Sequence, residues 1–118
     1  MGATNFETSA IGKTAQEAFN AAVREARYLH GNQGYTGTIA EKNSFVEIGV
    51  PSGLTYEEFV GAILDDQEKW ATNSRYMNCR GSIKYARRMW DDKYGPALCI
   101  ARNEGGTTVY RFLGMASS

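Results

Sequence analysis

Three glycines within seven residues, Gly31, Gly34 and Gly37, directly follow the longest helical pattern of the chain. Glycine adopts backbone conformations with positive φ and lets another segment approach the main chain closely. The negative end of the preceding helix faces this segment, so the glycines alone make a poor phosphate site. Two interpretations stay open: a tight helix-to-strand turn, or a loop whose glycine backbone and Tyr35 wall a pocket.

The residues before these glycines predict a helix over 14–30. Its apolar residues recur at steps of three and four, which places them on one face. Thr14 and Glu17 form a capping-box pattern at its start, and Thr55 with Glu58 opens a second predicted helix over 55–71 in the same way. A third, short helix is expected to begin at Ser82, with Lys84, Arg87 and Arg88 facing outward.

Four strands are predicted, over 36–42, 44–50, 97–102 and 107–115, and residues 1–12 are interpreted as an irregular or weakly extended lead-in. The first two strands form a hairpin that turns near residues 42–43. The last two flank the turn signal Asn-Glu-Gly-Gly at 103–106. The expected fold is a single α+β domain over residues 1–118. It has an antiparallel sheet of about four strands and two to three helices packed on one face. The expected buried residues are Phe19, Val23, Phe59, Ile63, Ile100 and Val109.

The composition is that of a soluble globular domain, with 42% hydrophobic residues and a net charge of zero from 13 basic and 13 acidic side chains. Neutrality argues against an overall nucleic-acid binder and against an acidic DNA mimic. No apolar run approaches the roughly 20 residues of a membrane helix, and no secretory signal is visible. Cys79 and Cys99 are therefore expected to be thiols, and the expected location is the cytoplasm.

No complete catalytic motif is visible in the chain. A nucleophile elbow, a histidine-based triad, a zinc constellation and a dinucleotide fingerprint are all absent. Gly-Lys-Thr at 12–14 imitates the end of a phosphate-binding loop, but Glu7 stands where that loop needs a glycine. Asp91 and Asp92 could join another carboxylate on Mg²⁺, or they simply end a helix. We expect a protein without enzymatic activity, metal or cofactor.

Residues 73–90 hold five of the 13 basic residues and no acid, with tyrosine and tryptophan interleaved. Arginine binds phosphate bidentately, and aromatic rings stack on bases. The alternatives are a solvated helix face and a protein interface, for which the same residue types are favoured anchors. The predicted ligand-binding residues are Tyr35, Arg75, Tyr76, Arg80, Lys84, Tyr85, Arg87, Arg88 and Trp90.

The stretches GKTAQEAF (12–19), GYTGTIAEK (34–42), DKYGPA (92–97) and FLGMAS (112–117) resemble a family of small phage-encoded accessory proteins of unassigned function. The likeness covers most of the chain, although residues 73–88 look like an addition. It supplies no catalytic residue. It implies an accessory phage gene expressed in the cytoplasm of a bacterial host cell, where small phage proteins often counter host defence.

The predicted function is a non-enzymatic phage counter-defence protein that sequesters a phosphorylated nucleotide-type signal or blocks a host defence protein. The alternative is a phage accessory protein that binds RNA or single-stranded DNA. Expected partners are a nucleotide-like small molecule or a host defence protein, with nucleic acid and a homo-oligomer as alternatives and no membrane. Backbone-tracking nucleic-acid binding should weaken steeply with salt, unlike a closed nucleotide pocket.

Overall fold

The computed structural model describes residues 2–31, 34 and 36–118, which form a four-stranded sheet with three α-helices. The elements are β1 (Ala3–Ile11), α1 (Ala15–His30), β2 (Phe45–Glu47), α2 (Tyr56–Leu64), α3 (Arg80–Trp90), β3 (Ala97–Glu104) and β4 (Thr107–Ser117). Short 3₁₀ helices lie at Ile39–Glu41, Lys69–Thr72 and Ser74–Cys79. The strand order is β1-β4-β3-β2, with β2 parallel to β3 and the other pairs antiparallel. The predicted α+β class is confirmed.

The helices cover both faces of the sheet rather than the single face expected. On one face α1 packs Phe19 against Phe112, with ring centroids 5.6 Å apart. On the other face Phe59 of α2 and Ile83 of α3 join the cluster built on Leu98 and its neighbours. Consecutive strand residues point to opposite faces, and residues 97–100 of β3 are all fully buried. A strand that is apolar on both sides needs a helical layer on each.

Capping residues set the starts of α1 and α2 as the sequence predicts. The Thr14 hydroxyl accepts the Glu17 N–H at 3.1 Å, and Thr55 and Glu58 make both bonds of a capping box. The end of α2 and the start of α3 differ from the prediction. α2 stops at Leu64 rather than residue 71, because the Asp65 carboxylate accepts the N–H groups of residues 67 and 69 and turns the chain. α3 begins at Arg80, two residues before the expected Ser82, and no side chain caps it.

The first predicted hairpin is wrong, and a strand replaces the expected irregular lead-in. Residues 3–11 form β1, which pairs with β4 along its whole length, a partner too distant in sequence for local patterns to reveal. Residues 36–42 contain the 3₁₀ turn Ile39–Glu41 and no strand. Residues 44–50 contain only the short β2, parallel to β3. The second hairpin is confirmed and longer than predicted. Of the six expected buried residues, Val109 alone is half-buried.

Side-chain hydrogen bonds fold the segment 36–41 back on itself. The Glu41 carboxylate accepts the Thr36 N–H at 3.1 Å and its hydroxyl at 2.7 Å, and Thr38 caps the 3₁₀ turn. Gly37 has φ +71° and donates its N–H to the Ser117 carbonyl at 2.8 Å. A Cβ at this glycine would lie 3.2 Å from the Thr4 Cβ. The glycine therefore permits a close approach between this segment and the sheet.

Lys42 directly follows the segment 36–41 and is buried, with 3% of its surface exposed. Its ammonium donates to the carbonyl oxygens of Asp92 (3.0 Å), Lys93 (3.2 Å) and Gly95 (2.9 Å). Burial lowers the pKa of Lys42 below its ordinary value, and the Asp92 carboxylate opposes that shift in part. The Lys42 side chain therefore joins the segment before β2 to the turn before β3.

The Lys42→Met variant should lose about 2–3 kcal/mol of unfolding free energy, because three carbonyls lose their charged donor while the aliphatic volume is kept. Lys84→Met is the matched control, since Lys84 is exposed on α3. Urea denaturation measures both. Equal stability of the two variants would contradict the role given to the buried ammonium.

Candidate anion-binding site

Arg87, expected to face outward from α3, is turned inward onto the end of α2. Its side chain is 18% exposed, and Nη1 donates to the carbonyls of Ala62 (3.3 Å), Ile63 (2.6 Å) and Asp65 (2.9 Å). The last carbonyls of a helix have no partner inside it. Arg87 therefore caps α2, and the expectation of an outward side chain is wrong.

The Arg87→Ala variant should lose about 2 kcal/mol of unfolding free energy, because the end of α2 loses a charged donor. Arg88→Ala is the control: Arg88 is the next residue of the same helix, is exposed, and makes no ion pair with a described residue. Thermal and urea denaturation compare them. A wild-type melting temperature for Arg87→Ala would refute the capping role.

Arg75 is held by an acid of α2. Its Nε and Nη2 donate to the two Glu58 carboxylate oxygens, both at 2.9 Å. The Arg75 guanidinium, helped by the Thr55 backbone N–H, lowers the pKa of Glu58 to about 2. The contribution of this pair to stability is complete above the ordinary value of 4.5 and is lost as the pH falls toward 2. The Arg75 fork is thus occupied within the molecule.

The other predicted residues of this segment divide between core and surface. Tyr76 and Trp90 are partly buried and pack against the α2–α3 core. Arg80 is half-buried, whereas Lys84, Tyr85 and Arg88 are exposed; we call these four residues the α3 face. Arg80, Lys84 and Arg88 follow at four-residue steps of about 6 Å along the helix, and no described acid pairs with them.

The α3 face has no pocket that its cations enter. The adjoining groove, of about 290 Å³, contacts Tyr85 and the glycines at positions 49 and 81, but none of the three basic residues lines it. Binding pockets for small molecules measure about 300–1,000 Å³ and bury most of the ligand surface against a few placed polar groups. An open basic face of this kind suits an extended anion rather than a small one.

A larger concavity, which we call the α1 cleft, lies between α1 and residues 42–43. It measures about 650 Å³, and its floor is formed by Phe19 and Val23. Its polar lining consists of Asn20, Arg24, Arg27 and Tyr28 of α1, with Lys42 and Asn43 opposite. A hollow of about 280 Å³ at the glycine segment shares two of these residues and is also lined by Gly31, Gly34, Ala40 and Glu41.

Arg24 and Arg27 give the α1 cleft its charge. They stand three residues apart on one side of α1, where like charges repel, and no described acid pairs with either. Tyr28 beside them is 89% exposed. Gln16 donates to Asn20 Oδ1 at 2.9 Å, which leaves the Asn20 amide nitrogen as a donor. The cleft combines guanidinium, amide and aromatic groups.

The opposite wall of the cleft is fixed by backbone and side-chain contacts. Asn43 stands between the buried Lys42 and Ser44, whose carbonyl accepts the Ala97 N–H at 2.9 Å. Both neighbours of Asn43 are therefore tied to the chain around residues 92–97. The predicted site residue Tyr35 lies outside the described residues.

Sequence patterns alone did not single out this cleft. Arg24 and Arg27 lie off the apolar stripe of α1 and resemble ordinary solvated residues. The signal that was available is the like-charged pair at i,i+3 with an aromatic residue next to it, just before a glycine segment. The hypothesis that glycine backbone walls a pocket is consistent with Gly31 and Gly34 at the hollow.

Other chemistry finds little support in the described part of the chain. Cys79 and Cys99 are free and buried, as expected, and burial raises the pKa of Cys99 to about 12, which keeps it a thiol. Among the described residues no group of three His, Cys, Asp or Glu side chains is placed to hold a metal ion. None of the described helices has the length and apolar character that crossing a bilayer requires.

No protein-family model, curated protein or solved structure matches this chain. The resemblance to small phage-encoded proteins stays a prediction.

Proposed function

We propose that this protein is a non-enzymatic binding protein that sequesters a phosphorylated, nucleotide-type ligand in the α1 cleft. The observation that carries the proposal is the pair Arg24 and Arg27, two guanidinium groups without a described acid partner at a cleft of about 650 Å³. An anion between them relieves their repulsion and accepts charge-assisted hydrogen bonds, the strong kind.

The remaining groups suit the rest of a nucleotide. Tyr28 offers an exposed ring on which a base can stack, an interaction that tolerates any base. The amides of Asn20 and Asn43 can pair with base edges or ribose hydroxyls, since an amide both donates and accepts. The apolar floor of Phe19 and Val23 supports a planar group. The volume falls within the range of small-molecule sites.

The biological setting of the proposal comes from the resemblance to phage-encoded accessory proteins. A protein that holds a nucleotide without changing it acts by lowering the free concentration of that nucleotide. In the cytoplasm of an infected bacterium, this would silence a host defence that is triggered by a phosphorylated signal. Blocking a host defence protein is a different mechanism for the same biological role.

The test compares two double variants, Arg24→Ala/Arg27→Ala in the cleft and Lys84→Ala/Arg88→Ala on the α3 face. Each protein is titrated with nucleoside triphosphates and inorganic pyrophosphate, and the small molecules released on denaturation are identified by mass spectrometry. Each charge-assisted bond contributes about 1.5–3 kcal/mol, so the cleft variant should bind at least about 100-fold more weakly. The α3 variant should bind like the wild type, and both should keep the wild-type circular dichroism spectrum.

Two results would overturn the proposal. One is a wild type that carries no nucleotide after purification and binds none of the compounds titrated. The other is a cleft variant that retains wild-type affinity.

The α3 face supports a second candidate, RNA or single-stranded DNA. Its three cations at regular steps track a line of phosphates, and Tyr85 is 52% exposed beside them for stacking. Single-stranded RNA titrated at two salt concentrations tests this function, because each neutralised phosphate makes binding more salt-dependent. The Lys84→Ala/Arg88→Ala variant should then lose both affinity and salt dependence. Salt-independent binding by the wild type would exclude it.

A further inference from the structure

Strand β1 forms one edge of the sheet and is the longer of the two edge strands. It covers Ala3–Ile11, nine residues, whereas β2 at the other edge has three. Its pairing with β4 runs without a bulge from Ala3 opposite Ser117 to Ile11 opposite Val109. A straight edge of this length presents a continuous row of backbone donors and acceptors to its open side.

The hydrogen bonds at the start of β1 show which groups point outward. Gly2 and Ser118 exchange two bonds, N–H to carbonyl in each direction, both at 3.2 Å. In an antiparallel ladder every second residue makes such a reciprocal pair, so the even-numbered residues of β1 bond to β4. The N–H and C=O groups of the odd-numbered residues point away from the sheet, at Asn5, Glu7, Ser9 and Ile11. None of these backbone N–H and C=O groups bonds to another described residue.

Most of the usual protections of an edge strand are missing from β1. Proteins block such edges with lysine, proline, bulges or charges. β1 contains no lysine and no proline, and its one charged residue, Glu7, is paired with Arg111 of the neighbouring strand. The edge is therefore open and close to neutral.

A groove runs beside this edge on the α1 side. It measures about 210 Å³ and lies between Phe6 of β1 and Ala22, Ala26 and Leu29 of α1, with Glu25 and His30 also in its lining. Leu29 is 64% exposed, although it belongs to the apolar stripe of α1. An added strand would bond to the backbone edge and cover this side chain at the same time.

We propose that a second copy of this chain occupies the edge, with the two β1 strands antiparallel about a two-fold axis. An axis perpendicular to the sheet sets odd-numbered residues against odd-numbered residues, which are the outward-pointing groups on both chains. It also keeps both α1 helices on the same side, so each Leu29 faces the junction. The contact is isologous and closes on itself. Two four-stranded sheets become one sheet of eight strands.

The proposed interface and the α1 cleft use different sides of α1. Arg24 and Arg27 line the cleft, whereas Ala22, Ala26 and Leu29 line the groove. The dimer is therefore independent of the ligand proposed above, and either can fail without the other.

Amide hydrogen exchange on the wild type tests the dimer without a variant. Amides of even-numbered β1 residues should be protected at any concentration, because they bond to β4. Amides of Asn5, Glu7 and Ser9 should become at least about tenfold more protected as the protein concentration rises and dimers form. Light scattering should give twice the 13.0 kDa chain mass over the same range. A single chain mass at every concentration, with fast exchange at these amides, overturns the proposal.

Proline variants locate the interface. Ser9→Pro removes an outward N–H, so it should keep the folded spectrum and yield a monomer. Asn5→Pro should act in the same way and serves as a second probe. Thr8→Pro is the contrast: it removes an N–H that bonds to β4 and should destabilise the fold itself. If the Ser9→Pro and Asn5→Pro variants both remain dimers like the wild type, the interface lies elsewhere and the proposal is refuted.

Discussion

The ammonium group of Lys42 is the contact on which the arrangement of this protein depends. A buried charge is costly unless hydrogen bonds replace its hydration, and here three carbonyls of the turn before β3 do so. The lysine thereby fixes the segment 36–43, which Gly37 also binds to the last residues of β4. From this fixed point β2 starts parallel to β3, and Asn43 is held across from α1.

The same contact explains why a binding site can exist beside α1. Sites that hold a small ligand tightly need walls that do not have to be ordered on binding. One wall of the α1 cleft is a helix packed on the sheet through Phe19 and Val23, and the other is the segment held by Lys42. Arg24 and Arg27 then project from a rigid surface. By contrast, two of the five basic residues near α3 already bind groups of α2: Arg75 binds the Glu58 carboxylate, and Arg87 binds the carbonyls at the helix end.

Local chemistry made the helices and one hairpin predictable from the sequence. Thr14 and Thr55 cap helices, and Gly105 and Gly106 turn the last hairpin, because each signal acts within a few residues. The elements that were predicted wrongly depend on partners distant in the sequence. Residues 3–11 become a strand only because β4 lies beside them, and residues 36–42 fold into a turn anchored by Lys42, whose partners lie 50 or more residues away.

The predicted site residues also depend on contacts that are distant in the sequence. Arg87 and Arg88 are adjacent and chemically identical, yet one caps α2 and the other faces solvent, which depends on carbonyls 22 to 25 residues earlier. The basic and aromatic residues of 73–90 predict an anion-binding surface on that segment. They could not indicate that α1 and residues 42–43 line the larger cleft, since that requires the position of Lys42 in the fold.

Amide chemical-shift mapping tests the central claim most directly, because it reports where a ligand binds without altering the protein. The ¹⁵N-labelled wild type is titrated with adenosine triphosphate, and each backbone amide is followed. Saturable shifts should concentrate at Asn20, Arg24, Arg27, Tyr28 and Asn43. Shifts confined to residues 80–88, or no saturable shift anywhere, would contradict the assignment of the α1 cleft as the binding site.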